Sequence, residues 1–118
     1  MYFKGYPSLP TIIRTVVEHN QVKITYGNIS HNGGYDFRDY FLYLQYTSLT
    51  DLASCGQSCK TIRLSNLNGN VVIDGLKENS RYRYRFIAEN PVGESKGRWQ
   101  TIVTKGIILK LHFNLKFD

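Results

Sequence analysis

The sequence predicts an all-β fold, and three observations carry that reading. Nine tyrosines stand against one methionine and two cysteines in 118 residues, a composition that favours strands over a helical bundle. Tyr82, Tyr84, Phe86 and Ala88 alternate with Arg81, Arg83, Arg85 and Ile87. That alternation marks a half-buried strand with its aromatics inward and its arginines largely outward. Further short strand-like segments precede and follow it, separated by turn-forming residues.

Each element has its own signal. Leu9–Val17 reads as a first strand, with Pro7 and Pro10 guarding an edge. Gln21–Ile29 alternates Val22, Ile24 and Tyr26 inward and reads as the second. Residues 30–36 form a glycine-rich loop. Phe37–Tyr46 is the third strand, with Tyr40, Leu42, Leu44 and Tyr46 on one face and Phe41, Tyr43 and Gln45 on the other. Thr47–Ser58 is polar and loop-like. Lys60–Leu67 and Asn70–Asp74 are two strands joined around Asn68-Gly69, a strong hairpin turn signal. The Arg-aromatic strand ends at a turn containing Asn90, Pro91, Gly93 and Ser95, and Arg98–Thr104 is the last strand.

Residues 76–95, LKENSRYRYRFIAENPVGES, closely resemble the E–F corner, F strand and F–G loop of a fibronectin type III domain. The resemblance implies that Leu76 and Tyr82 form the family's tyrosine corner, the hydroxyl bonding to backbone just upstream. Ala88, Asn90, Gly93 and Ser95 match the family's Ala-x-Asn-x-x-Gly-x-Ser run. Seven strands in this order make a two-sheet, immunoglobulin-like Greek-key sandwich over residues 7–105. One departure is Tyr26, near where the family usually places a tryptophan. Residues 106–118, GIILKLHFNLKFD, extend past the usual end of such a domain. Ile107, Leu109, Leu111, Phe113, Leu115 and Phe117 alternate there with mostly polar residues. The tail is therefore expected to be a strand, adding to its own sandwich or exchanging with a second copy in a homodimer.

Catalytic chemistry finds little support. His19, His31 and His112 sit in no metal-ligand spacing, and Gly33-Gly34 lacks the strand–glycine–helix context of a phosphate cradle. No cofactor is expected. Cys55 and Cys59, in CGQSC, supply too few ligands for structural zinc. They read either as a local disulfide or as two loop thiols. Asn28-Ile29-Ser30 is an N-glycosylation sequon, which points weakly to a secreted context.

Fifteen Lys and Arg against nine Asp and Glu give a net charge of +6. That is an ordinary soluble surface or an attraction to an acidic glycan, lipid head group or protein. Nucleic acid is not expected, because no basic cluster or reader motif accompanies the charge. No apolar run reaches the roughly 20 residues of a membrane span, and the first ten residues do not read as a signal peptide.

Phe41, Tyr43, Arg83 and Arg85 are expected to share the outer face of one sheet, as a partner-binding patch or as cation–π packing that covers the sheet. The chain contains no Arg-Gly-Asp, so the integrin binding of some family members is not implied. The resemblance implies a non-catalytic interaction or spacer module of an extracellular or cell-surface protein, adhesive, receptor or matrix in kind. The alternatives are an intracellular scaffold module of the cytoskeletal or muscle type, in the cytoplasm, and a carbohydrate-directed accessory domain using Phe41 and Tyr43.

Overall fold

The computed structural model describes residues 4–49 and 59–106. Eight strands form two antiparallel sheets. β1 (Thr11–Val17), β2 (Val22–Gly27) and β5 (Gly69–Ile73) make the smaller, in the order β1-β2-β5. The larger holds β3 (Phe41–Ser48), β4 (Lys60–Leu64), β6 (Arg81–Glu89), β7 (Glu94–Lys96) and β8 (Gln100–Val103). There β6 lies between β3 on one side and β7 and β8 on the other.

The core is what the two-residue period places between the sheets. Val22, Ile24 and Tyr26 from β2 and Val71 and Ile73 from β5 meet Leu42, Leu44, Tyr84, Phe86 and Ala88 from β3 and β6. Tyr26 stands tilted against Phe86, ring centroids 5.3 Å apart. Its hydroxyl donates to the Asn66 carbonyl at 2.9 Å, so one buried side chain spans the sheets and holds the chain where it crosses between them. Tyr40 donates to the Ser8 carbonyl at 2.7 Å, and the Tyr84 hydroxyl meets Thr15 Oγ1 at 3.2 Å.

Several boundaries differ from the sequence expectation. The segments around Asn68-Gly69 are not a hairpin: β4 pairs with β3, and β5 pairs with β2 in the other sheet. Ile62 and Leu64 pack on the core from one sheet, and Val71 and Ile73 from the other. The turn residues serve a crossover instead, and Gly69 takes a φ of 135° there. The third strand starts four residues late. Asp36 accepts the Arg38 N–H at 2.8 Å and opens a 3-10 turn, Phe37–Asp39. The same strand runs on to Ser48, into the segment expected as a loop. The last strand is interrupted. β7 occupies part of the expected turn, the Gly97 N–H donates to the Phe86 carbonyl at 2.8 Å, and β8 resumes at Gln100. The first strand begins at Thr11, and its register shifts between Ile12 and Arg14, leaving Ile13 exposed.

One end of the sandwich is bound by buried polar groups. Asn90 donates to the carbonyls of Gly5 (2.9 Å) and Asn32 (3.2 Å), while its Oδ1 accepts from the N–H groups of Val92 and Gly93. The Gly5 N–H donates to the Gly33 carbonyl at 2.9 Å. A Cβ on Gly33 would stand 2.0 Å from the Gly5 oxygen, so only glycine allows this approach.

Burial raises the phenol pKa values of Tyr26, Tyr40 and Tyr84, in the last case against the opposing bond with Thr15. The folded state thus holds these protons more tightly than the unfolded chain does. Their contribution is complete below the ordinary tyrosine value of 10.0 and is lost as pH rises through the folded values. The urea midpoint is expected to fall as pH rises above the ordinary tyrosine value of 10.0; a flat midpoint above that pH would contradict the burial of these hydroxyls.

Candidate interaction surface

The outer face of the larger sheet follows from register. Tyr43 pairs with Ile87, Gln45 with Arg85 and Thr47 with Arg83, and Phe41 with Glu89. Because paired residues share a face, Phe41, Tyr43, Arg83 and Arg85 lie on the same side of the sheet. Arg63, opposite Tyr43, and Lys96, opposite Ile87, join them. Arg81 does so too, two residues before Arg83 on the same strand.

These side chains are held in stacks. The Arg83 and Arg85 guanidiniums lie 4.3 and 4.2 Å from the centroid of the Trp99 ring. Arg85 Nε donates to Gln45 Oε1 at 2.8 Å. At the other end of the face, Arg63 lies 5.0 Å from the centroid of the Phe41 ring. Arg83 and Arg85 are therefore half-buried rather than projecting freely, and Ile87 between them and the loop end is buried. Burial, and then the neighbouring Arg83 charge, lower the Arg85 pKa, while Glu94 opposes both; a guanidinium stays protonated through such a shift. Glu89 accepts from the Tyr43 hydroxyl at 3.5 Å, at the edge of hydrogen-bond range. Between these groups is a shallow depression of about 290 Å³ lined by Tyr43, Gln45, Thr61, Ile87, Glu89, Glu94 and Lys96. Among the described residues, five cations of the face thus outnumber its two carboxylates. Trp99 was not among the residues that the sequence singles out. The signal was the chain's single tryptophan two residues after Gly97, where the broken strand lets the ring lie across β6.

Leu76 and Tyr82 meet at the opposite end of the sandwich. Leu76 is buried, and its N–H donates to the Asn20 carbonyl at 2.9 Å. The Lys77 N–H donates to the Tyr82 hydroxyl at 2.8 Å. The hydroxyl is therefore an acceptor in this bond, and the ring is half-buried against the core. Thr104 closes the same end, its Oγ1 donating to the Lys77 carbonyl at 2.6 Å and accepting the Ser80 N–H at 2.9 Å.

Solved structures share this fold. The fibronectin domain of the human collagen α-1(XX) chain superposes with a TM-score of 0.66 at 16% identity, over 89% of this chain and 91% of that one. Fibronectin domains of chicken CNTN1 give 0.62 at 16%, over 86% of this chain and 32% of that one. A segment of titin gives 0.58 at 19%, over 85% and 32%. The fold is that of a fibronectin type III module. No family model and no curated protein matches the sequence, so the likeness is one of backbone architecture.

Within this fold the remaining sequence candidates are scattered. Asn28 is exposed on the turn after β2, at a φ of 58°. Cys59 is disulfide-bonded; Cys55, the other cysteine of the sequence, lies outside the described residues. His31 is structural, its Nδ1 accepting the Gly33 N–H at 3.0 Å, whereas His19 is exposed and His112 lies outside the described residues. Among the described residues no three His, Cys, Asp or Glu side chains converge as metal ligands, and no helix is long and apolar enough to cross a membrane.

Three substitutions test these contacts. Tyr82→Phe removes the acceptor of the Lys77 N–H and is expected to cost about 1 kcal/mol in urea denaturation. Trp99→Ala removes two guanidinium stacks and half-buried ring area, for about 2 kcal/mol. Arg85→Lys keeps the charge but loses the planar stack and the Gln45 bond, for about 1 kcal/mol. Wild-type stability in both Trp99→Ala and Arg85→Lys would show the stacks to be energetically empty.

Proposed function

We propose that this chain is a non-catalytic interaction module, one domain of a larger cell-surface, adhesion or matrix protein, and that it engages a protein partner through the outer face of its larger sheet. The observation that carries this reading is the ladder in which Arg63, Arg83 and Arg85 lie against Phe41 and Trp99. Guanidiniums already fixed against rings lose little freedom when a partner docks, and Arg and Trp are the residues that dominate binding energies. The excess of cations on the face selects an acidic protein surface, with an acidic glycan as the alternative of the same charge.

The exposed Asn28 sequon and the bonded state of Cys59 support an extracellular or cell-surface setting. A collagen chain and a titin segment both share the fold, so the fold leaves the cytoplasmic scaffold alternative in place. Peptide mapping of the natural protein separates the two: glycan on Asn28 supports the first, and bare Asn28 with reduced Cys59 supports the second.

Arg63 and Arg81 are exposed and stand outside the Trp99 stacks, so they test the face while leaving those two stacks in place. Binding of the labelled chain to cell surfaces and deposited matrix is expected to fall at least fivefold in the Arg63→Glu, Arg81→Glu double variant, with Tm within a few degrees of wild type. Equal binding by the variant removes this face as the contact. Loss of wild-type binding after heparinase treatment would assign the partner to acidic glycan.

A further inference from the structure

The strand expected for residues 107–118 lies outside the described residues. Another sequence feature, the Asn28-Ile29-Ser30 sequon, lies wholly within them. Asn28 and Ile29 border a depression of about 350 Å³ whose other lining residues are Phe37, Leu67 and Asn68. None of these five side chains is charged, so the acidic partner that suits the arginine face finds no counterpart here.

The walls of the depression are fixed from beneath. Phe37 opens the 3-10 turn that Asp36 caps. Its ring leans on the buried Tyr40, with centroids 5.7 Å apart, yet Phe37 remains 42% exposed. Ile29 and Leu67 pack against the core and are partly buried. The bond from the Tyr26 hydroxyl to the Asn66 carbonyl holds the crossover that carries Leu67 and Asn68. Gly27 lets the end of β2 approach that crossover closely, since a Cβ there would stand 3.2 Å from Asn68 Cβ. Asn28 follows at once, exposed and at a φ of 58°. A site whose walls are set by the core needs little ordering when it is filled.

An aromatic ring, apolar flanks and two carboxamides suit an uncharged sugar. Sugar C–H groups pack on the electron-rich face of an aromatic ring, and carboxamides both donate to and accept from hydroxyl and acetamido groups. The volume lies near the small end of the roughly 300–1,000 Å³ of small-molecule sites, which suits a sugar ring and not a folded partner. The sequon brings such a sugar to the same place. In N-glycosylation the Asn28 Nδ2 displaces the diphosphate of a polyprenyl diphosphate oligosaccharide from C1 of N-acetylglucosamine and gives up one proton. A sugar tethered to a residue of the depression then meets it at high effective concentration. The geometry points to an Asn28-linked glycan whose first N-acetylglucosamine lies across the Phe37 ring and covers the depression. This rests on the extracellular reading above and adds to it the seat of the glycan.

The full chain, secreted from mammalian cells behind a cleavable leader, tests this. Intact mass is expected to show glycan on Asn28, and nuclear Overhauser contacts are expected between the first sugar and the Phe37 ring. Release of the glycan by peptide N-glycosidase, which leaves an aspartate at position 28, is expected to lower Tm by roughly 3 °C or more. In Phe37→Ala the same release is expected to lower Tm by less than about 1 °C. Phe37 is outside the core cluster, so the variant keeps the fold, and the new charge at position 28 is common to both proteins. Equal losses of Tm in the two, or no contact between the sugar and the Phe37 ring, overturn the seat of the glycan and leave the extracellular reading standing. An unmodified Asn28 in the secreted protein overturns the inference as well. The compartment is judged separately, by the peptide map of the natural protein.

Discussion

The two-residue period of β6 is the constraint on which most of this molecule depends. Its inner row, Tyr84, Phe86 and Ala88, is buried in the core. Its outer row carries the arginines that hold Trp99. A slip of one residue would exchange the rows, placing guanidiniums between the sheets and aromatic rings in water. Such a slip costs far more than a small domain's whole stability, because each buried unpaired charge is penalised by several kcal/mol. Register with β3 on one side and with β7 and β8 on the other is thereby set by the same row of residues.

Burial against Tyr26, Leu42 and Leu44 holds the middle of the sandwich, but polar groups hold its ends. Asn90 ties the loop after β6 to the N-terminal segment and to the loop before β3. Thr104 and the Lys77–Tyr82 bond do the corresponding work at the other end. Each satisfies backbone groups that no ladder reaches, which an all-β fold with several sheet-to-sheet crossings must do repeatedly. The proposed interaction face gains from this arrangement. Arg81, Arg83 and Arg85 rest on a strand that is paired on both sides, so their positions are set by the scaffold rather than by a loop.

On the proposed face, packing and recognition are not rival explanations. A guanidinium stacked on Trp99 covers apolar ring surface and still directs N–H donors outward. Stability and binding can therefore draw on the same contact, and substitutions at Arg83 or Arg85 would disturb both. The exposed Arg63 and Arg81 separate the two roles because their charge contributes to the field of the face while their burial contributes little to the fold.

The sequence by itself determined whatever depends on near neighbours. Alternation along β2, β3 and β6 reveals the inward row of each strand, and the run around Leu76, Tyr82 and Asn90 reveals the fold. It also placed Phe41, Tyr43, Arg83 and Arg85 on a common side, because period and pairing with an adjacent strand suffice for that. Tertiary structure decided which strands pair and which side chains meet over long separations. Asn68-Gly69 has the chemistry of a hairpin, yet the flanking strands enter different sheets, since each finds its apolar partners elsewhere: Ile62 and Leu64 beside β3, Val71 and Ile73 beside β2. A turn residue specifies a backbone conformation but not the destination of the chain after it. Trp99 was illegible for a related reason. Its place across Arg83 and Arg85 depends on the break between β7 and β8, where Gly97 bonds back to Phe86, and that break exists only once β6 is there to receive it.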